Sequence, residues 1–497
     1  MIDRLIALAR QRPQTALLWV LGLHLLIWTL LPILVCPNLQ LDLVEDLALG
    51  KEWQLGYWKH PPLPWWLADL AYRLTGQIEA VYLLGPLAAV VCLYGVWLLA
   101  RETLGAFEGL VAVLALEGVH FYNFSVVKFA HDQMQLPMWA FTALFFHRAI
   151  KRGRAFDWML AGAFLAGALW SKYAAFALAA TLGLFLLADP VARRAWRTPG
   201  PYLMALAFAV VIAPNVWWLV NHEFMPFQYV DARARIAERW HQYATFPLRW
   251  IASQAFFLLP AAGLLALLYI GGALQRRDAA GDAAFDRRYV TALALGPFLV
   301  TTLISTALGR QTISMWGYPL WSFAPLALLM WLAPAAAPVA IRRFGITSLA
   351  VFAAVPVIYA AVELGEPLVR DRTKATQFPG RALADAVTRE WRARYGTPLV
   401  YVAGTEFAAN NVAVYSPDRP HVVVHAEPKL SPWIDTADLR RRGAVLVWEG
   451  VGPGSDSQRL RATFGNVEVR PPLTLERPTW RRARPVQINY AFVPPQP

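Results

Sequence analysis

Cysteine is nearly absent from this chain of 497 residues, which holds two, Cys36 and Cys92. Cys36 closes the first apolar run. Cys92 lies well inside the second, about 20 Å below its outer end if helical. A disulfide needs Cα atoms within about 7 Å, so none is expected. Charge is also scarce: Asp, Glu, Lys and Arg make up 16% of the residues, too few for an ordinary soluble surface. No internal repeat or low-complexity linker is visible, which weighs against a transporter or lipid flippase, since transporters often show such repeats. No metal cluster with zinc-like spacing, no Gly-x-Ser-x-Gly elbow and no phosphate loop occurs. Val451-Gly452-Pro453-Gly454 has proline where a backbone donor would be wanted, and reads as a turn.

What the chain has in abundance is apolar and aromatic side chains. It is 57% hydrophobic, with 22 Trp, and its mean hydropathy is positive. This composition predicts a polytopic helical membrane protein with interfacial aromatic belts. Apolar runs of about 20 residues each suggest eleven spans, near 14–35, 80–100, 108–126, 136–150, 156–170, 173–188, 201–220, 250–271, 289–308, 317–335 and 345–363. Arg4, Arg10 and Arg12 precede the first run, which is too long for a signal h-region and lacks a small-residue cleavage site, so an uncleaved first span is expected. The net charge of +13 fits basic inner loops and a basic tail, and nucleic acid is not an expected partner. The clusters Lys151-Arg152-Gly153-Arg154, Arg193-Arg194, Arg276-Arg277, Arg287-Arg288 and Arg342-Arg343 put the N-terminus in the cytoplasm and the loop after the first span outside. An odd number of spans puts the C-terminal segment outside as well.

From Leu364 the composition changes. The tail carries 19 of the 46 basic residues and no spanning run, so residues 1–363 and 364–497 are expected to be separate domains. Leu399–Ala403, His421–His425, Ala444–Glu449 and Gln487–Val493 read as strands, and Arg381–Arg394, Pro432–Arg442 and Ser455–Phe464 as helices. Their alternation predicts a small extracytoplasmic α/β domain.

The chemistry concentrates in Leu41–Thr75, between the first two spans. Asp42 shares a helical face with Glu45 and Asp46 at spacings of three and four. Trp53, Tyr57, Trp58, Trp65 and Trp66 follow, around the rigid turn His60-Pro61-Pro62-Leu63-Pro64 and a short amphipathic helix. Further outer segments hold Lys128 and His131-Asp132, Ser171-Lys172-Tyr173, Asn215-Val216-Trp217 with Arg233, Arg235 and Arg239, and Gly309-Arg310-Gln311. For each a plain structural role stands beside the chemical one. The acids can be solvated, Asp132 can pair with Lys128, Lys172 can snorkel, and the arginines can bind anionic headgroups generally. Glu117 and His120 lie inside the third span, where they can bond each other for packing.

An acid followed, roughly a dozen and a half residues later, by a (His or Lys)-Pro-Pro-Leu turn resembles the first outer loop of GT-C membrane glycosyltransferases. It resembles in particular the bacterial relatives of the protein O-mannosyltransferases and of the lipid A aminoarabinose transferase. Asp42 and His60-Pro61-Pro62-Leu63 fit that register. The family often has a second acid directly after the first, where this chain has Leu43. The resemblance implies inverting transfer of one sugar from a polyprenyl-phosphate donor to an envelope acceptor, a glycolipid such as lipid A or a protein, at the periplasmic face of the inner membrane. It implies Asp42, Glu45 and Asp132 as catalytic candidates, and Lys172, Arg233, Arg235 and Arg310 for the donor phosphate. His60, His131, Tyr57, Trp217 and Tyr173 are implied for substrate contact. A divalent cation is left open.

Overall fold

The computed structural model describes residues 2–270, 275–333, 338–369, 374–450, 463–479 and 483–496. Fifteen helices run through the first 369 residues. They are α1 (Ile2–Gln11), α2 (Pro13–Val35), α3 (Leu41–Gly50), α4 (Leu63–Thr75), α5 (Leu84–Thr103), α6 (Ala106–Leu116), α7 (His131–Arg152), α8 (Ala155–Ser171), α9 (Phe176–Ala188), α10 (Gly200–Asn221), α11 (Met225–Arg233), α12 (Gln242–Ala266), α13 (Gly281–Ala307), α14 (Ala324–Trp331) and α15 (Pro338–Val369). Two short strands, β1 (Gln275–Arg276) and β2 (Leu332–Ala333), pair antiparallel beside them.

Every expected span coincides with a helix, but the helices differ in reach. Among the described residues six are long and apolar enough to cross a membrane: Pro13–Val35, Ile78–Thr103, Gly200–Asn221, Gln242–Ala266, Gly281–Ala307 and Pro338–Val369. The others are shorter or more polar. α6 stops at Leu116, and α14 has only eight residues. α7 is long enough but begins with His131, Asp132 and Gln133. α6 ends early because the chain turns at Gly118 and Val119, and this breaks the helical relation between Glu117 and His120. Glu117 bonds instead to His24 Nδ1 on α2, at 2.9 Å, and His120 packs on Phe121 and Phe257. Both cysteines are buried and free.

The C-terminal part is a layered α/β unit. Helices α16 (Gly380–Tyr395), α17 (Glu406–Tyr415) and α18 (Thr436–Arg442) accompany strands β3 (Tyr401–Gly404), β4 (His421–Val423), β5 (Ala444–Glu449), β6 (Glu468–Val469), β7 (Leu473–Leu475) and β8 (Val486–Val493). The sheet order is β4-β3-β5-β8-β6, with β7 also on β8; β3 is parallel to β4 and β5, and β8 is antiparallel to β5. The all-apolar or small residues of β3 are buried along its whole length, as a strand covered on both faces requires. Trp391 of α16 meets Phe492 of β8 edge-on, with centroids 5.6 Å apart. Four expected strands and two expected helices are present; the helix read over Ser455–Phe464 and the turn at 451–454 fall mainly outside the described residues. α17, β6 and β7 are elements beyond those expected.

This unit sits directly on the segment between α2 and α5. α3 lies between α4 and α17, with Leu43, Val44, Leu47, Ala48 and Leu49 all buried. Gly50 permits the close approach of α4, because a Cβ there would stand 2.1 Å from the Trp65 carbonyl oxygen. Asn38 Nδ2 donates to the Ala375 carbonyl at 2.9 Å and to Asn411 Oδ1 at 3.2 Å. Lys51 donates to the Pro420 carbonyl at 2.6 Å, and Glu52 accepts from His421 at 2.9 Å.

Candidate active site

A cavity of about 1240 Å³ opens where α3, the start of α7, the α8–α9 turn, α11, the end of α13, the end of α15 and α17 converge. Segments from one end of the helix bundle and from the C-terminal layer make its wall. Asp42, Glu45 and Asp46 line it together, one turn of α3 apart. His60, His131, Asp132, Lys172, Tyr173, Arg233 and Arg310 line it too.

The ionic partners differ from those the sequence suggests. Asp132 pairs with Lys172, Nζ to Oδ1 2.7 Å, and not with Lys128. The α8–α9 turn delivers Lys172 there from 40 residues away. Lys128 lines the cavity with no ion pair among the described residues, as does Arg233. Arg310 is tied to Asp231, Nη2 to Oδ1 2.8 Å, and its backbone bridges Ile236. Its loop therefore braces the chain after α11. Glu45 meets Lys59 at 2.5 Å, and Lys59 meets Glu406 of α17 at 2.8 Å. Neither Lys59 nor Glu406 was a sequence candidate. Lys59 had a signal, being the one formally charged side chain between Glu52 and Asp69. Glu406 had none, because its role depends on contact across the fold.

Asp42 differs from Glu45 in having no hydrogen bond or ion pair among the described residues, and from the buried Asp46 in being partly accessible from the cavity. Burial pushes its carboxyl above the usual aspartate range, against the pull of Lys59, Lys128 and Lys172. Burial also raises Glu45, to about 8, with Lys59 opposing. Asp46 is raised further, by burial and then by Asp42 and Glu45. For Lys59 burial acts downward, but the two carboxylates outweigh it and hold the ammonium above its ordinary value. Lys59 thus keeps its charge between Glu45 and Glu406, and its ammonium holds Glu406 below the ordinary glutamate range. His60 is pushed well below the usual histidine range by burial and by the nearby His131, Lys172 and Lys59, so it is a neutral ring. It packs against His131 with centroids 4.1 Å apart and the rings tilted by 36°, and His131 Nε2 donates to the Pro61 carbonyl at 3.2 Å.

Three expected site residues stand off the cavity wall. Tyr57 is fully buried, edge-on to Trp65, and donates to the Leu49 carbonyl at 3.0 Å; it packs the turn. Trp217 is 62% exposed, whereas Trp218 is 2% exposed. Successive helix positions point about 100° apart, so the inward ring on α10 is Trp218. The Arg235 side chain is exposed, and what its backbone contributes is a carbonyl that accepts from Gln311 N at 2.9 Å. Tyr173 does reach the site, donating to Asn215 Oδ1 at 3.2 Å, while Asn215 donates to the Leu55 carbonyl at 2.8 Å.

No three His, Cys, Asp or Glu side chains among the described residues converge as a metal site. Glu45 and Asp132 are already held by lysines. The donors as arranged do not fit a divalent cation.

Comparison with known proteins adds three findings. The model of the dolichyl-phosphate-mannose-protein mannosyltransferase family matches residues 59–218, from Lys59 through His131-Asp132 and Ser171-Lys172-Tyr173 to Trp218. The lipid A galacturonosyltransferase RgtD of Rhizobium johnstonii is 29% identical over 222 residues. That stretch covers 42% of this chain and 44% of the relative, so less than half the relative's length is matched. ArnT from Cupriavidus metallidurans shares the fold along nearly the whole chain. The TM-score is 0.62 for the apo structure, at 15% identity over 98% of this chain and 99% of that one. For the structure bound to undecaprenyl phosphate it is 0.60, at 15% identity over 95% and 97%. The matched segment takes in Lys59, His60, His131, Asp132 and Lys172, and the whole chain shares the ArnT fold, so the chain is similar to membrane glycosyltransferases in both respects.

Proposed function

We propose that the protein transfers one sugar, with inversion, from a polyprenyl-phosphate donor to a glycolipid acceptor of the lipid A class, at the periplasmic face of the inner membrane. One observation carries this reading: Asp42 is an unpaired carboxylate on a cavity wall that also presents Lys128, Lys172 and Arg233. In the step proposed, the acceptor hydroxyl attacks the sugar C1. Its proton passes to Asp42 as the C1–oxygen bond forms, and the C1–phosphate bond breaks. The departing lipid phosphate carries the electron pair away and is stabilised by Lys128, Arg233 and the Lys172 ammonium. An elevated Asp42 pKa suits a base, since a carboxylate of ordinary acidity binds a proton weakly. Neutral His60, packed against His131, offers a polar ring without competing for the phosphate.

Support for the donor class comes from the ArnT structure, which was solved with undecaprenyl phosphate, and for the acceptor class from the RgtD relative. The periplasmic placement rests on the basic clusters. Lys151, Arg152 and Arg342 gather at the bundle end away from the cavity. The residues after 364 are proposed to form a periplasmic domain for the same reason. The fold shared with ArnT favours a transferase over a transporter. The decisive experiment is sugar transfer from a synthetic polyprenyl-phosphate sugar to purified lipid A, by the protein in detergent. Mass spectrometry of envelope lipids from a deletion strain identifies the sugar. Absence of any modified lipid in the parent strain that the deletion lacks would defeat the reading.

A further inference from the structure

The C-terminal layer reaches the cavity through α17. Glu406 and Asn410 are four residues apart on that helix, hence on one face, and both line the cavity with Phe407 between them. Glu406 is fixed by Lys59 at 2.8 Å. Asn410 is 2% exposed, and its side-chain oxygen finds no donor among the described residues. A buried amide oxygen without a donor is costly, and one that lines a cavity calls for a ligand that brings the donor. The ring of Phe407, packed on Phe378 with centroids 4.9 Å apart, gives the same wall an apolar patch.

The chemistry of this wall is selective. It presents a carboxylate and a carboxamide oxygen, both acceptors. A phosphate has only acceptors to offer at neutral pH and is repelled by Glu406. An acyl chain leaves the Asn410 oxygen unsatisfied. A sugar ring brings hydroxyl donors at its edge and C–H groups on its face. We propose that Glu406 and Asn410 form a hydroxyl-binding wall that holds a sugar ring beside Asp42, so that the C-terminal layer takes part in choosing the saccharide. The ring belongs either to the donor or to the acceptor, and this inference rests on the transferase reading above.

The test is binding of each ligand alone to the full-length protein in detergent, which requires no turnover. One arm uses a synthetic polyprenyl-phosphate sugar and its monodeoxy analogues, the other lipid A and a version lacking single sugar hydroxyls. The native protein is expected to bind the parent ligand at least about tenfold more tightly than one analogue in one arm, the lower end of the cost of an unmet buried acceptor. Asn410→Ala should erase that preference, and Asn410→Asp, which keeps an acceptor oxygen, should restore part of it. Glu406→Gln, on the more exposed end of the face, gives an independent reading should the buried substitution fail to fold. The arm in which the preference disappears identifies the source of the ring. Unchanged preference in all three variants, or no preference for any hydroxyl in the native protein, overturns the proposal. Absence of transfer despite a preference that responds to Asn410 would count against the transferase reading and leave the wall standing.

Discussion

The two ends of the helix bundle handle charge in opposite ways. Away from the cavity a set of charges is matched across helices. Arg148 and Arg152 share Glu102 at 2.6 and 3.1 Å, Lys151 meets Asp282 at 2.8 Å, and Arg288 meets Asp189 at 2.6 Å. His147 meets Asp286 at 2.8 Å, and Arg342 meets Asp3 at 3.2 Å. At the cavity end Asp42, Lys128 and Arg233 are left over after Lys59, Lys172 and Arg310 have taken partners. Charges at the far end clamp one helix to another. Those at the cavity end are held close together without being neutralised, which costs stability and is useful only when a charged or reacting ligand arrives.

The largest test of this contrast is Asp42→Asn, which keeps the size and removes the proton acceptor. Turnover should fall by about 10²–10⁴, while Asp189→Asn at the other end leaves turnover per folded molecule within about twofold. Near-normal transfer by Asp42→Asn, with loss in Asp132→Asn, would move the base to Asp132. Next comes Lys172→Ala, which removes a phosphate cation and strands Asp132. A loss in kcat/KM of about 10²-fold is expected, read as donor dependence in the same transfer assay. Lys128→Ala should act in the same direction.

A smaller effect separates the ends by its kind. Glu102→Gln takes the shared carboxylate from Arg148 and Arg152, and should lower stability by about 1–3 kcal/mol, seen as earlier unfolding in detergent with specific activity unchanged. Loss of activity at intact stability would mean that the far end is more than a clamp. Protonation gives the fourth test. Glu45 is held at about 8 by burial, against the ordinary 4.5. A carboxyl raised in this way binds its proton more tightly in the folded protein, so its contribution is full in acid and declines as pH rises from about 4.5 to about 8. Glu45→Gln should flatten that part of the stability–pH curve, measured by denaturation at several pH values; a slope equal to the native one would show that Glu45 is ionised throughout. Least affected should be Arg235→Ala, with donor use within about threefold, because its exposed side chain stands off the wall.

How much of this could be read beforehand depended on sequence distance. The helix carrying Asp42, Glu45 and Asp46 was legible because its spacing is local, and so was the turn at His60-Pro61-Pro62. The spans were legible as apolar runs, although their true lengths were not, since Gly118 ends α6 where hydropathy continues. Partners were the weak point. Lys128 is nearer to Asp132 in sequence, yet Lys172 is nearer in space because helices α7 and α8 run antiparallel and return the chain to the same level. Trp217 and Trp218 look interchangeable until the helix has a neighbour on one side. Glu406-Phe407-Ala408-Ala409-Asn410 has no marked periodicity, and only its seat against α3 makes it part of the site.

The bond between Lys59 and Glu406 joins residues 347 positions apart. At a synthesis rate of about 5–20 residues per second, roughly 17–70 seconds separate the appearance of the two. During that interval Lys59 already has Glu45 one short loop away, so no lone ammonium waits at the membrane surface. The carboxylate that arrives last then takes its share of Lys59, and it comes from the same helix that brings Asn410. The order of manufacture thus leaves Lys59 paired in the half-built site, and the cavity acquires its α17 wall only after Glu406 and Asn410 have been made.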